Sequence, residues 1–418
     1  MSMSAAHLCQ QDEYASITPL RFQTEAISQI SDEVAMMELA QYVPVSPQDN
    51  YTGAKKTLSR LTVKEDLLIG IIVLGMTSSW HDPSSLGLCH FHGARQLFKL
   101  WMAENDVINT AYSLSRTQSF LISSMVYWEV MVSCLVDQDT NAVSYLDVFC
   151  NLQPTFFSYP CPWTGVGTSI LVRLAKCITL VRQSRNLHHL QCASRDAVNV
   201  SDSRSHLVEE ALALAEDVGQ SQVPFTLQDT GDTRTPADHF YKIAQCHRLV
   251  ALLELHRAFP EITNGQGAMN RSRPADDDQM HQNSQRVLGL AVNILEIMRT
   301  IPEDSRTIAI QSLIFLSAGS ALVFMPTGEA DGKAFQATTS RALISSWRQF
   351  VLGRLYKSYL SIKLETINRV ASVLREVWSR VDSSTAVIPE AGTFDKSPLS
   401  HAHWIDVMVE GNLETILG

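Results

Sequence analysis

Asn368, Ser372 and Glu376 are residues whose types and spacing could do chemistry. They fall at i, i+4 and i+8 of the run N-R-V-A-S-V-L-R-E. A helix puts their amide, hydroxyl and carboxylate on one face, within about 12 Å end to end. Hard oxygen ligands of this kind suit Mg2+. The same residue types are ordinary on the wet face of a surface helix, and a first carboxylate motif should accompany them. Asp276-Asp277-Asp278 does not supply it, because positions 280 and 281 hold Met280 and His281 where a carboxylate is needed. Glu129, Asp137 and Asp139, near the end of an apolar stretch, are a looser candidate.

The remaining titratable groups suggest less. His247 sits on an apolar stripe with Phe240, Ile243, Val250 and Leu253, the setting of a hydrogen-bonded core histidine. His90 and His92 point to different helix faces. His188, His189, His401 and His403 form no metal-spaced set with Cys or carboxylates. The motifs G-x-S-x-G, G-x-x-x-x-G-K-[ST] and G-x-G-x-x-G are absent, and Gly165-Val-Gly167 reads as a turn. Eight cysteines at 9, 89, 134, 150, 161, 177, 192 and 246 are never closer than eleven residues, so no zinc-ribbon or zinc-cluster spacing exists. Cys134, Cys177 and Cys246 lie in apolar stretches and read as buried thiols.

A net charge of −10 makes the chain a poor holder of nucleic acid, which needs clustered Lys and Arg. Lys55-Lys56 and Arg60 are a modest basic patch, read as surface. The first residues lack the basic and apolar regions of a secretory signal. The longest apolar run, Leu67 to Met76, is about half of a membrane span.

Helical periodicity positions these groups. Residues 87–104 show the clearest stripe, with Phe91, Ala94, Phe98 and Trp101 on one line. Further helices are predicted at 31–46, 64–78, 116–136, 168–184, 205–217, 237–258, 284–299, 304–325, 335–382 (broken once) and 401–416. Residues 304–325 are apolar on nearly every face, which belongs at the centre of a protein. Pro302, Glu303, Asp304 and Ser305 offer its start, and Ala318, Gly319 and Ala321 leave room for close neighbours. No alternating strand is evident. The expected class is all-α: a flexible segment over 1–30, then one irregular multi-helix domain over 31–418 around the buried 304–325 helix.

Four pieces, in order, resemble the regulatory region of fungal zinc-cluster transcription factors, the fungal-specific transcription factor domain of the second type. They are His90-Phe-His-Gly93-Ala94; Ile301-Pro302 with Leu313-Ile-Phe315 and Ala318-Gly319; Arg341 heading the following helix; and Asn368, Val377-Trp378 and Trp404-Ile-Asp406-Val-Met408. The resemblance covers roughly residues 30–417. It implies an all-α fold, a nuclear protein and control of transcription, often of metabolic gene clusters. That family reads DNA through an N-terminal six-cysteine cluster. The first 60 residues here hold only Cys9, so no zinc ligand or DNA contact is carried over.

Two functions follow as expectations. One is a transcription-regulator-like protein of a fungal metabolic pathway, without a cofactor or direct nucleic-acid or membrane binding. It acts through protein partners, a homodimer or a small apolar effector in the helical core, in the nucleus. The alternative rests on Asn368, Ser372 and Glu376, whose spacing resembles the second metal motif of class I terpene cyclases. There such residues hold Mg2+ against a diphosphate. This would make the chain a cytoplasmic cyclase acting on farnesyl diphosphate, similar to humulene-forming enzymes whose sequences lack the usual motif pair.

Overall fold

The computed structural model describes residues 17–41, 62–107, 114–151, 160–193, 197–223, 231–264, 277–324, 334–386 and 402–417. The fold is all-α, as expected. Among the described residues extended pairing is limited to one isolated bridge, Cys161 to Gly165. The chain divides into two compact units, residues 1–125 and 126–418.

The first unit holds α1 (Ile17–Gln41), α2 (Glu65–Met76) and α3 (Leu88–Glu104), and α4 (Arg116–Ser133) begins in it. The first helix starts well before the predicted residue 31. Phe22, Ala26, Ile30 and Val34 recur every four residues and are half-buried, giving α1 an apolar stripe that packs on α2. On α3 the predicted line holds, with Phe91, Ala94, Phe98 and Trp101 fully buried. Gly87, at φ 60°, starts α3, and an added Cβ would stand 2.4 Å from the Gly75 carbonyl oxygen. Only glycine fits there.

The second unit contains the rest of α4, then α5 (Thr168–Ala193), α6 (Ala197–Gln220), α7 (Ala237–Ala258), α8 (Asp277–Arg299), α9 (Ser312–Ser320), α10 (Ala334–Ile362), α11 (Glu365–Ala386) and α12 (Trp404–Glu410). Helix α7 packs against α5, α6, α8 and α9, and α9 packs against α7, α8, α10, α11 and α12. The centre is thus shared. Every residue of α9 is buried, as its apolar composition requires.

The predicted 304–325 helix is not continuous. Ser305 caps a 3-10 turn over Arg306–Ile310, and the α-helix begins at Ser312. Neighbouring side chains reach carbonyls at both ends of the segment. Arg354 donates to the Ile301 carbonyl at 2.8 Å, and Arg348 to that of Leu322 at 2.9 Å. The indole of Trp378 donates to the Gly319 carbonyl at 2.9 Å. Gly319 has the expected close neighbours, since an added Cβ would lie 3.1 Å from Leu374 and 3.3 Å from Val351. Pro326 and Gly328, predicted to end this helix, lie outside the described residues, as do Lys55, Lys56 and Arg60.

The long 335–382 helix does break once, at Lys363, whose φ is 61°. The terminal helix is shorter than the predicted 401–416 and stops at Gly411. No helix among the described residues is long and apolar enough to cross a membrane.

Candidate functional site

Helix α11 carries Asn368, Ser372 and Glu376 as the spacing predicts. Val370, Val373, Leu374, Val377, Trp378 and Val381 turn inward, leaving the three polar residues on the outer side. There each meets a protein partner. The Asn368 amide donates to Glu365 at 2.9 Å, and the Ser372 hydroxyl donates back to the Asn368 carbonyl at 3.0 Å. Glu376 accepts from Arg380 at 2.8 Å, and Arg380 also reaches Glu410. Arg380 thus engages Oε1 of Glu376.

The looser carboxylate candidates disperse. Glu129 is fully buried and accepts from Tyr145 at 2.6 Å and Gln138 at 3.2 Å. Asp137 pairs with Arg182 at 2.5 Å. Burial works to raise the Asp137 carboxyl, but hydrogen bonds from Asn186 and Arg182 outweigh it and lower it. Asp139 caps the turn Thr140–Val143. Asp276 lies outside the described residues, while Asp277 opens α8. Among the described residues no group of three or more His, Cys, Asp or Glu could hold a metal ion.

The structure assembles a different cluster, around Glu254. This carboxylate is fully buried on α7. Its Oε1 accepts from the Ser317 hydroxyl at 2.5 Å and from the Trp404 indole at 2.8 Å. Its Oε2 lies 3.0 Å from Nε2 of His403. Nδ1 of His403 accepts from the Ile405 backbone N–H at 3.2 Å, as the N-cap of α12. A ring that accepts at Nδ1 carries its proton at Nε2, so neutral His403 donates to Glu254.

This arrangement decides the charge state. Burial by itself raises the Glu254 carboxyl. The hydrogen bond from His403, the charge of Arg257 and the Ser317 hydroxyl outweigh it and bring the group down to about 2. His403 is lowered, first by burial and then by Arg257. Both ring nitrogens of His403 are occupied, so no lone pair is open to take a proton from a substrate. The cluster is a clasp between α7, α9 and α12.

A second ion pair extends it. Asp406, in the first turn of α12, accepts from Arg185 Nε at 2.8 Å, and Arg185 Nη2 also bonds it. His189 lies 3.2 Å away on its other oxygen. Arg257 donates to Ser320 at 2.7 Å and to the Ala402 carbonyl at 3.3 Å. Two carboxylates and two guanidiniums therefore sit under α12 and hold it by its N-terminal half.

His247 is buried as expected, at 1% exposure, but its Nδ1 has no hydrogen-bond partner within the protein. Burial lowers it to about 4. Cys134, Cys177 and Cys246 are buried free thiols, pushed up by burial, Cys134 to about 12. The segment at Gly165 is a turn, closed by paired backbone bonds between Cys161 and Gly165. A Cβ on Gly165 would stand 2.7 Å from the Phe240 ring.

Sequence reasoning missed Glu254, His403, Arg257, Arg185 and His189 as a group. Their partners lie up to 221 positions apart, beyond any local spacing. One signal existed: Glu254 and Arg257 are charged residues on the apolar face of α7, where unpaired charge is costly.

Searches of the curated proteins and of the solved structures gave no match. A family model, the fungal specific transcription factor domain, matches residues 1–418. Of the motif residues that resemble this family, Gly319 and Trp378 tie α9 to α11, while Trp404 and Asp406 tie α12 to α7 and α5. With its full length matched and its helices tied at these positions, the chain belongs to the fungal specific transcription factor domain family.

Proposed function

We propose that this chain is the signal-receiving, regulatory part of a fungal transcription regulator, working in the nucleus through protein partners or a small apolar effector. The observation that carries this reading is the match of the regulatory-domain family over all 418 residues. The net charge of −10 agrees with a surface that meets proteins more readily than phosphate. The Glu254 cluster supports it as well. The Glu254 carboxylate ties Ser317, His403 and Trp404 together, which suits a scaffold that transmits a change in packing between α7, α9 and α12. A metabolic gene cluster is the target expected of such a regulator.

The test is a fusion of the chain to a sequence-specific DNA-binding module, with a matching reporter in a fungal host and a fluorescent tag. Nuclear fluorescence and a several-fold change in reporter output are expected. Exclusion from the nucleus together with an unchanged reporter would refute the reading.

A further inference from the structure

A directed chain of hydrogen bonds runs from α10 to the first turn of α7. Arg354 is a donor only, and its Nη2 reaches Oε1 of Gln311 at 3.3 Å. That contact fixes the amide, so Nε2 of Gln311 donates to Oγ1 of Thr307 at 3.0 Å. Oγ1 of Thr307 lies 2.9 Å from Oγ of Ser305, which lies 2.9 Å from Nδ1 of His239. All five residues are buried.

Two hydrogens remain to be placed, those of the Thr307 and Ser305 hydroxyls. If Thr307 donates to Ser305 and Ser305 donates to Nδ1, each bond in the series has one donor and one acceptor. The ring is then neutral, with its proton on Nε2. The opposite order needs a hydrogen on Nδ1. Ser305 then turns its hydroxyl to Thr307, which already accepts from Gln311. The Thr307 hydrogen is left with no acceptor in the series. A buried donor without a partner is costly, so the first order and a neutral ring belong together.

Charges around the ring largely offset one another. Asp238 and Lys242 of α7 pair at 2.6 Å, Arg306 pairs with Asp232 at 3.3 Å, and Arg234 stands 3.9 Å from Asp304. Burial holds the imidazole below its ordinary range. Asp238, the Arg234 backbone and Asp304 oppose this, and Lys242 adds to it. The ring also lies in the first turn of α7, where the helix dipole disfavours a cation.

We propose that His239 and this series of bonds form a proton-driven switch at the entry to α9. Uptake of a proton from water at Nδ1 reverses both hydroxyls, strands the Thr307 hydrogen and loosens the 3-10 turn Arg306–Ile310. That turn leads into α9, the buried helix on which five others pack. The switch stands on hydrogen-bond geometry and does not depend on the regulatory reading.

NMR of the full chain with 15N-labelled histidine tests it, the His239 signal being identified by its loss in His239→Asn. Near pH 7.5 the wild-type ring should carry its hydrogen on Nε2 and leave Nδ1 bare. Gln311→Glu turns the series around, because a carboxylate accepts from Thr307 and still pairs with Arg354. Near pH 7.5 it should place a hydrogen on Nδ1, although residue 311 does not bond the ring. Near pH 6 it should raise the ratio of charged to neutral ring at least about tenfold. Amide exchange over residues 305–311, corrected for intrinsic rate, should speed up at least about fivefold in the wild type between pH 7.5 and 5.5. In His239→Asn the side-chain oxygen accepts in place of Nδ1 and does not titrate, so exchange should stay level. Unchanged circular dichroism will show that both variants fold. A hydrogen on Nδ1 of the wild type near pH 7.5, a bare Nδ1 in Gln311→Glu, or wild-type exchange no more pH-dependent than that of His239→Asn would each overturn the proposal.

Discussion

The indole N–H of Trp404 donates to Oε1 of Glu254 across 2.8 Å, joining residues 150 positions apart in a fully buried contact. One carboxylate thereby holds α12 against α7, with Ser317 of α9 on the same oxygen. Removing either end leaves buried polar groups without partners, so the effect on stability exceeds the worth of one hydrogen bond.

Glu254→Leu should therefore destabilise the protein by about 3–5 kcal/mol, because three donors and the Arg257 charge lose their counterpart. Trp404→Phe loses the N–H and part of the buried indole, at about 2 kcal/mol. Denaturant unfolding of both variants checks the ranking, and equal losses would contradict it.

Acid should unfold the protein in two stages. His247 is near 4 in the folded state against 6.5 for the free group, because burial disfavours its charged form. The unfolded chain takes the proton first, so the contribution is fully present above pH 6.5. It is lost as pH falls to 4, about 3 kcal/mol in total. His256, lowered to about 4 by burial and then Arg286, titrates in the same window. Glu254, at about 2 against 4.5, contributes above pH 4.5 and loses its part between 4.5 and 2. His247→Gln should flatten the slope of unfolding midpoint against pH between 6.5 and 4 and leave the lower stage intact.

Gly319→Val should cost about 2–3 kcal/mol by overpacking α9 against Leu374 and Val351. The same change at Gly353, where nothing lies within 4 Å and valine forms helix better than glycine, should be neutral or slightly stabilising. Paired thermal melts compare the two.

Glu376→Gln should change stability by no more than about 0.5 kcal/mol, since its partner Arg380 is a solvent-screened neighbour one turn away. Mg2+ should not raise the melting temperature of the wild type beyond a matched ionic-strength control. A saturable Mg2+ shift that Glu376→Gln abolishes would instead support metal binding at Asn368, Ser372 and Glu376.

The helices themselves were legible in the amino-acid order. Periodicity marked Phe91, Ala94, Phe98 and Trp101 as one buried line and bounded α7 at residues 237 and 258. Apolarity on every face placed residues 312–320 inside. These are local properties, set by side chains within one or two turns of each other. The i, i+4, i+8 spacing on α11 was equally visible. What occupies Glu376 was not, because Arg380 is also held by Glu410 of another helix.

Tertiary structure alone decided the rest. The 304–325 segment changes from a 3-10 turn to an α-helix at Gln311, and side chains of α10 and α11 reach carbonyls before and beyond that change, at Ile301, Leu322 and Gly319. Glu254 became the centre of a cluster because folding brought Ser317, His403 and Trp404 to a single carboxylate. A buried charge needs its partners in space, and nothing along the chain says which distant residues will provide them. Composition and period determined that this protein is helical and which faces turn inward; only packing determined which polar groups those faces enclose together.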